Sequence, residues 1–552
     1  MRVRAIAFLA RRLLCVLLIA VLLPAAPAQA LSQGGFAAEL QPLLLQARHP
    51  FLEHGDLAKE RAAIESLYRQ RAYLPLWLDA SGALTSQASG LLQAMRAADE
   101  LGLDPNVYEA AKIADLAAAN SSDASSAGID LGLSIMAVRF ATHLHFGQVD
   151  PKTAAFNMPQ RSALDVPHLL LRLAAAADIR AELASLEPKF QHYRLLKSSL
   201  SVYRRLAAQP PILLPPLPAK PVKPGGEYSG AAELRQLLTL LGDLPATAGP
   251  TAGVATLDEP LVEALKRFQF RHGLQQDGVL GNSTYAELAT PLAQRVRQIE
   301  LTLERWRWLP ELDAPTIIVN IPQFRLFAFP TSEDSEATMV TMDVIVGTFP
   351  RTRTPVFAAD MKFVKFRPYW DVPYSIMKAE LLPSIRKNAA YLEQHDMEIV
   401  AEQDDRAAPL APTPEVIAQL AAGKLRLRQK PGADNPLGQV KFMLPNDYNI
   451  YLHSTPAREL FKQSRRAFSH GCIRVSDPAA LADYVLRNAA GDWTRERIEA
   501  AMSGADNQRV DLKQWIRVLI VYGTAVATEA GNVYFFNDIY GNDARLTKLL
   551  AR

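Results

Sequence analysis

Apolar positions recur at helical spacing from residue 31 to about 208. The string Leu91-Leu92-Gln93-Ala94-Met95-Arg96-Ala97-Ala98 and the run from Leu169 to Ala177 both carry this period. Gly102 and Pro105 punctuate one helix end. Seven prolines between Pro210 and Pro224, then Gly225-Gly226, predict a stiff connection over 209–227 and a domain boundary. A small helical unit follows over 228–295. In it Leu261, Leu265 and Phe268 share one face of a helix that stops at His272-Gly273, Asp277-Gly278 is a turn, and Thr284 to Leu288 opens another helix. Beyond residue 296 the period becomes alternating. Ile317 to Phe329, Met339 to Val346 and Gln439 to His453 read as strands with intervening turns. Between Ile376 and Lys430 the pattern is again helical and polar, which predicts an insertion over 376–430 that could act as a lid. The expected fold is α+β: a helical scaffold over 31–208, the small helical unit, and a sandwich-like β domain over 296–552.

Residues 1–30 follow another logic. Arg2, Arg4, Arg11 and Arg12 form a basic head, Leu13 to Leu23 is apolar, and Ala28-Gln29-Ala30 offers small residues around a cleavage point. That order predicts a secretory signal peptide and a periplasmic protein beginning at Leu31. The apolar run is short for a membrane span, although an uncleaved anchor is the competing reading. Leu14 stands where a lipoprotein acceptor at Cys15 would need a small residue. The rest of the chain is too long for one core, so about three domains are expected. A net charge of +3 lacks the basic footprint of a nucleic-acid binder.

The chain has two cysteines, Cys15 and Cys472. Cleavage would leave Cys472 alone in an oxidising compartment, a liability unless its chemistry is used. Its surroundings suit that use. His453 ends a predicted strand, and fifteen residues separate it from Ser469-His470-Gly471-Cys472. A thiol attacks as thiolate and needs a base or a positive field. His453 can supply this if the Tyr451-Leu452-His453 strand lies beside the Cys472 strand. Gly471 allows close backbone approach and could offer an oxyanion-hole N–H. Ser454 could orient the imidazole through its backbone or hydroxyl. Asp477-Pro478 reads as the start of a helix whose positive end could lie near the thiol.

These residues carry a resemblance. A histidine, fourteen to seventeen residues, then Ser/Thr-His-Gly-Cys is the signature of YkuD-type L,D-transpeptidase catalytic domains. ERWRWLP at 304–310, VIVGTFPRTRTP at 344–355, DIYG at 538–541 and YLPLWLDASGALT at 73–85 resemble the large multidomain YcbB-like subfamily. LVEALKRFQFRHGLQQDGVLGNSTYAEL, from Leu261, resembles the small three-helix peptidoglycan-binding domain of wall enzymes. Its Phe268 and Phe270 are expected in its core more than on a sugar-stacking surface. The short motif usually has Asn two residues after the cysteine, where this chain has Arg474. That leaves two roles open there, a substrate carboxylate contact or an internal ion pair.

The resemblance implies a two-step acyl transfer. Cys472 attacks the third residue of a donor stem tetrapeptide, usually diaminopimelate, and expels D-alanine, with His453 as base. A second diaminopimelate amine accepts, giving a 3–3 cross-link. No metal or organic cofactor is implied; the partners are peptidoglycan stem peptides and other wall-synthesis enzymes. Carbapenems are expected to acylate Cys472. Supporting roles fall to His470, and substrate contacts to Ser469, Arg474, Tyr451 and Trp370, the last in FRPYWDVP. Arg465 and Arg466 are expected as a solvated pair, and His143 with His145 lack further metal ligands.

Two rivals remain. Papain- or NlpC-type peptidases place the nucleophile before the histidine, and no histidine follows Cys472. A non-catalytic wall-binding scaffold would suit the small unit but not the intact His453/Cys472 spacing. Hydrolysis to a tripeptide, exchange or lipoprotein attachment by the same chemistry stays open.

Overall fold

Phe156–Asn157 (β1), a two-residue strand from the helical half, lies parallel to the start of Val356–Phe366 (β5) in the β domain's main sheet. The computed structural model describes residues 33–551 apart from 58, 120–124, 247–254, 313, 314, 330–338, 403 and 488. The signal-peptide reading, with Cys15, Ala30 and Leu31, lies outside the described residues. The remaining strands of the main sheet are Thr316–Asn320 (β2), Arg325–Phe329 (β3), Val340–Gly347 (β4), Val440–Met443, Leu452–His453, Ala467–Ser469, Ile473–Val475 and Gln508–Val521. Two further short pieces, Trp370–Asp371 (β6) and Met397–Val400 (β7), pair with Arg426–Gln429 (β8) in a separate three-stranded sheet. Val440–Met443 is then β9, Leu452–His453 β10, Ala467–Ser469 β11, Ile473–Val475 β12 and Gln508–Val521 β13.

Strand β13 is the spine. Its residues Val518–Val521 are buried on both faces, as a central strand demands. It pairs antiparallel with β5 and parallel with β2. The order then runs β2-β3-β4-β12-β10-β9, and β9 returns to β5 through Phe363↔Met443 to Phe366↔Val440. The sheet therefore closes on itself, where a sandwich was expected. The eleven-residue β5 is long enough to pair on both edges, and closure removes exposed edges.

Four cores form. Helices between Gln33 and Ala184 bury Leu67, Trp77, Leu91, Met136 and Phe140 in the first. Asp130 anchors it, accepting the Tyr68 hydroxyl at 2.6 Å and the Trp77 backbone N–H at 2.7 Å. The scaffold boundary expected near 208 does not follow the packing: helix Gln191–Ala207 buries Tyr193, Leu196 and Leu200 in the β-domain core, beside helix Leu292–Arg307. The fully buried Arg307 reaches the Leu101 carbonyl and the Tyr193 hydroxyl, tying the two halves.

The small unit has helices Ala231–Leu240, Glu259–Arg271 and Asn282–Leu288 around Leu234, Leu265 and Phe268. The proline-rich stretch is a strap on it. Ile212, Leu214 and Leu217 pack on its core, the Tyr228 hydroxyl donates to Pro215 O at 2.6 Å, and Val222 pairs with Leu280. Phe268 is core, as expected; Phe270 is 47% exposed, edge-on to Tyr534.

The insertion has its own core of Met377, Leu382, Ile385, Ile399, Leu420 and Leu427, and it starts at Trp370 on β6. Its sheet departs from the helical expectation. Strands β7 and β8 are four residues each, and three of the four in β8 are arginine or glutamine, so neither shows a strand period. Arg428 is nonetheless buried, paired with Glu398 at 2.8 Å.

Candidate active site

Strands β10 and β12 run parallel with Leu452 opposite Ile473 and His453 opposite Arg474. The Ile473 N–H donates to Tyr451 O at 3.0 Å, which extends the pairing back to Tyr451 and Cys472. Because strand side chains alternate, Tyr451, His453, Cys472 and Arg474 stand on one face. This is the juxtaposition the spacing required.

The turn into Cys472 is held from beneath. Gly471 has φ +117°, and a Cβ there would meet Ile450 Cδ1 at 3.2 Å. The Ser469 hydroxyl is buried, donating to Cys472 O at 2.6 Å and accepting the Gly471 N–H at 3.1 Å. Ser469 is thus a brace, not the substrate contact expected of it, and the Gly471 N–H expected in an oxyanion hole is committed to Ser469. The Thr354 hydroxyl donates to Gly471 O at 2.7 Å, and Thr348 N–H and Thr352 Oγ1 both reach Ser469 O. The Tyr540 hydroxyl donates to Gly347 O at 2.6 Å. Residues 344–355 and 538–541, first singled out as strings, therefore cradle the nucleophile turn.

Cys472 is half-buried, and its thiol points at Asn449 O, 3.6 Å away. Burial pushes the thiol above its ordinary range, opposed by the Tyr451 backbone and hydroxyl, Lys441 and Arg474. His453 is buried and pushed down to about 3, first by burial and then by Arg474 and Lys441. Nδ1 of His453 lies 2.6 Å from Ser454 O. A carbonyl only accepts, so Nδ1 carries the proton and Nε2 keeps a lone pair. Thiol and imidazole are therefore both neutral at rest. Ser454 acts through its backbone; its hydroxyl accepts from Gln439 N at 2.6 Å and donates to Leu437 O at 3.1 Å.

The other expected residues divide. Tyr451 lies edge-on to His453, with 5.7 Å between ring centres, and its hydroxyl bonds the thiol. Arg474 is half-buried, with its Nε unpartnered among the described residues, and has no ion pair there, so the internal-pair role has no support. His470 turns away to the surface and meets Glu380 of the insertion at 3.0 Å. Trp370 packs on the insertion's core. Arg466 is not solvated, pairing with Asp343 at 3.0 Å; Arg465 is exposed. His143 meets the Tyr108 hydroxyl at 2.9 Å and His145 the Ser162 and Leu186 carbonyls. Among the described residues no cluster could hold a metal ion, nor is any helix long and apolar enough to cross a membrane.

Sequence reasoning missed Lys441. It faces His453 across β9 and β10, is 7% exposed, and sets Nζ 3.8 Å from the Tyr451 ring centre. It stands on the face opposite the core residues Val440 and Phe442, so the alternation alone reads it as a solvent-facing position. Lys365, its neighbour across β5, pairs with Asp405 of the insertion at 2.6 Å.

Residues 314–510 match the family model described as "L,D-transpeptidase catalytic domain", residues 62–200 that of a "Scaffold domain", and residues 228–288 that of a "Putative peptidoglycan binding domain". A Haemophilus influenzae protein described as "Putative L,D-transpeptidase" is 32% identical over 250 residues, which span 45% of this chain and 49% of that protein. The chain thus matches about half the length of this curated relative. A solved L,D-transpeptidase fragment from Xylanimonas cellulosilytica is 15% identical, covering 56% of this chain and 100% of that one at a TM-score of 0.15, a likeness that carries no weight. The catalytic match encloses both His453 and Cys472, so the chain carries a YkuD-type L,D-transpeptidase catalytic domain, preceded by matches to a scaffold domain and a peptidoglycan-binding domain.

Proposed function

We propose that this chain is a periplasmic peptidoglycan L,D-transpeptidase using Cys472 as nucleophile and His453 as general base. The observation that carries the reading is the shared face of β10 and β12, where Tyr451, His453 and Cys472 meet. The unprotonated Nε2 takes the thiol proton as Sγ attacks the carbonyl of the donor's third residue. The Tyr451 hydroxyl, already on the sulfur, supplies a donor to the oxyanion that forms beside it. Collapse breaks the peptide bond, and the proton on His453 leaves with the D-alanine amine. A second diaminopimelate amine then attacks the thioester and gives His453 a proton. The C–N bond forms, the C–S bond breaks, and the thiolate is reprotonated, leaving a 3–3 cross-link.

Low solvation of both groups supports general-base attack over a standing thiolate–imidazolium pair, since each is neutral until substrate arrives. The insertion over β5 and β9 is proposed to close on the donor. The test is mass spectrometry of muropeptides after incubating the protein with disaccharide-tetrapeptide, beside Cys472→Ala. A dimer formed with loss of D-alanine, absent from the variant, is expected. Tripeptide alone would make the enzyme an L,D-carboxypeptidase, and no product from either protein would favour lipoprotein attachment or the scaffold reading.

A further inference from the structure

A groove of about 390 Å³ lies where the N-terminal half meets the catalytic domain. Its walls come from four distant segments: Lys152 and Phe156, Arg353, Tyr448, and Tyr540 with Asn542. Phe156, Tyr540 and Asn542 are buried and form its floor, Tyr448 is 42% exposed at its rim, and Lys152 and Arg353 are exposed at its mouth. None of its lining residues is acidic, and neither cation has an ion pair among the described residues. Ala155 beside it holds φ +61°, a conformation alanine rarely adopts, as does Asn449 next to Tyr448 at φ +54°.

The groove's wall reaches the nucleophile turn through Thr354. Tyr448 adjoins Asn449, whose carbonyl receives the Cys472 thiol. Arg353 adjoins Thr354, whose hydroxyl holds Gly471. The insertion contributes nothing to it. Its contacts run instead from Glu380 to His470 and from Asp405 to Lys365. The insertion and the groove thus meet the nucleophile turn through different residues, His470 for the one and Thr354 for the other.

We infer that this groove is the acceptor subsite, and that Lys152 and Arg353 select diaminopimelate over a lysine side chain; this rests on the transpeptidase reading above. In diaminopimelate the attacking amine and a free carboxylate share one carbon, whereas a lysine side-chain amine has no such neighbour. A guanidinium and an ammonium at the mouth can hold that carboxylate. The same charges disfavour the ammonium form of the amine beside it, raising the fraction that can attack the thioester. The amine adds to the thioester carbonyl and passes a proton to His453, the C–S bond breaks, and the Cys472 thiolate takes that proton back.

The full chain is first acylated with tetrapeptide donor, then offered diaminopimelate-containing tripeptide or its lysine counterpart, in the parent and in Lys152→Glu/Arg353→Glu. The parent is expected to prefer the diaminopimelate acceptor. The variant should lose roughly tenfold in acceptor kcat/KM, the size of a lost charge-assisted hydrogen bond, while donor acylation of Cys472 keeps its rate. Equal use of both acceptors by the parent, or an unchanged preference in the variant, would overturn the inference. Slower donor acylation in the variant would overturn it as well, by moving these residues to the donor side. A parent that never forms the thioester would instead bring down the transpeptidase reading itself.

Discussion

The Lys441 ammonium sits 3.8 Å above the centre of the Tyr451 ring, while the Tyr451 hydroxyl bonds Cys472. The lysine thus acts on the sulfur in two ways, through its charge and through the ring it holds. Burial lowers its own proton affinity, opposed by the charges of Asp371, Cys472 and Asp405. A desolvated cation over a tyrosine contributes about 1–2 kcal/mol. Lys441→Met should raise the pKa of the Cys472 thiol and slow iodoacetamide alkylation several-fold at pH 8. Lys441→Arg should restore most of the rate. An unchanged pH profile in the methionine variant would reduce Lys441 to packing.

His453, pushed to about 3, predicts how the resting enzyme titrates. With the thiol raised and the imidazole neutral, alkylation of the free enzyme should climb steadily above pH 8. It should show no plateau between pH 5 and 8, where a standing thiolate–imidazolium pair would give one. A plateau there would mean that the ion pair exists without substrate.

The same shift bears on stability. His453 binds a proton below about 6.5 when unfolded but only near 3 when folded, so the unfolded state gains protons first as pH falls. Stability is therefore full above pH 6.5 and is lost progressively down to about pH 3. His453 accounts for a few kcal/mol of that loss, by linkage. His49, His143, His145 and His272 are depressed in the same direction. His453→Gln should flatten the pH dependence of the urea midpoint between pH 7 and 4.5, leaving the part due to the other four.

Ser469 was expected to touch substrate, and its burial under the nucleophile turn gives a different outcome for its removal. Ser469→Ala leaves the Gly471 N–H without its partner and Cys472 O without its donor. That should cost about 1–3 kcal/mol of stability. It should also slow carbapenem acylation of Cys472 more than it weakens reversible binding, because the sulfur rather than the pocket is displaced. Thermal unfolding and intact-protein mass spectrometry measure the two effects.

Much of this site could be read from the chain because its parts lie close together in sequence. His453 ends β10 and Cys472 directly precedes its partner β12, with a short connection carrying β11 between them, and both have residue types whose chemistry is legible alone. Lys441 was hidden by its setting, since a lysine among Val440, Phe442 and Met443 reads as an exposed strand position until β9 is known to lie inside a closed sheet. Ser469 and Thr354 were hidden because their roles depend on a turn that brings residues 344–355 beneath 469–472. Helix Gln191–Ala207 was placed with the scaffold because amphipathic spacing marks a buried face without saying what buries it. The strands of the insertion were missed because four residues are too few to show a period.

Two contacts join the insertion to the catalytic domain near the site, Lys365 to Asp405 and His470 to Glu380. The second is exposed on both sides, and such pairs hold well under about 1 kcal/mol. The first is partly shielded, at the edge of the row Lys365, Lys441, His453 and Arg474 that runs across β5, β9, β10 and β12. With its own hydrophobic core, the insertion can move as a body while the closed sheet stays intact. Asp405→Asn with Glu380→Gln should therefore leave the unfolding temperature within a few degrees of the parent while raising donor KM several-fold. Replacing residues 376–430 by a short linker should slow donor acylation much further without unfolding the sheet. If the shortened protein is acylated and turns over at the parent's rate, the insertion is no lid, and the donor must be held by the sheet face alone.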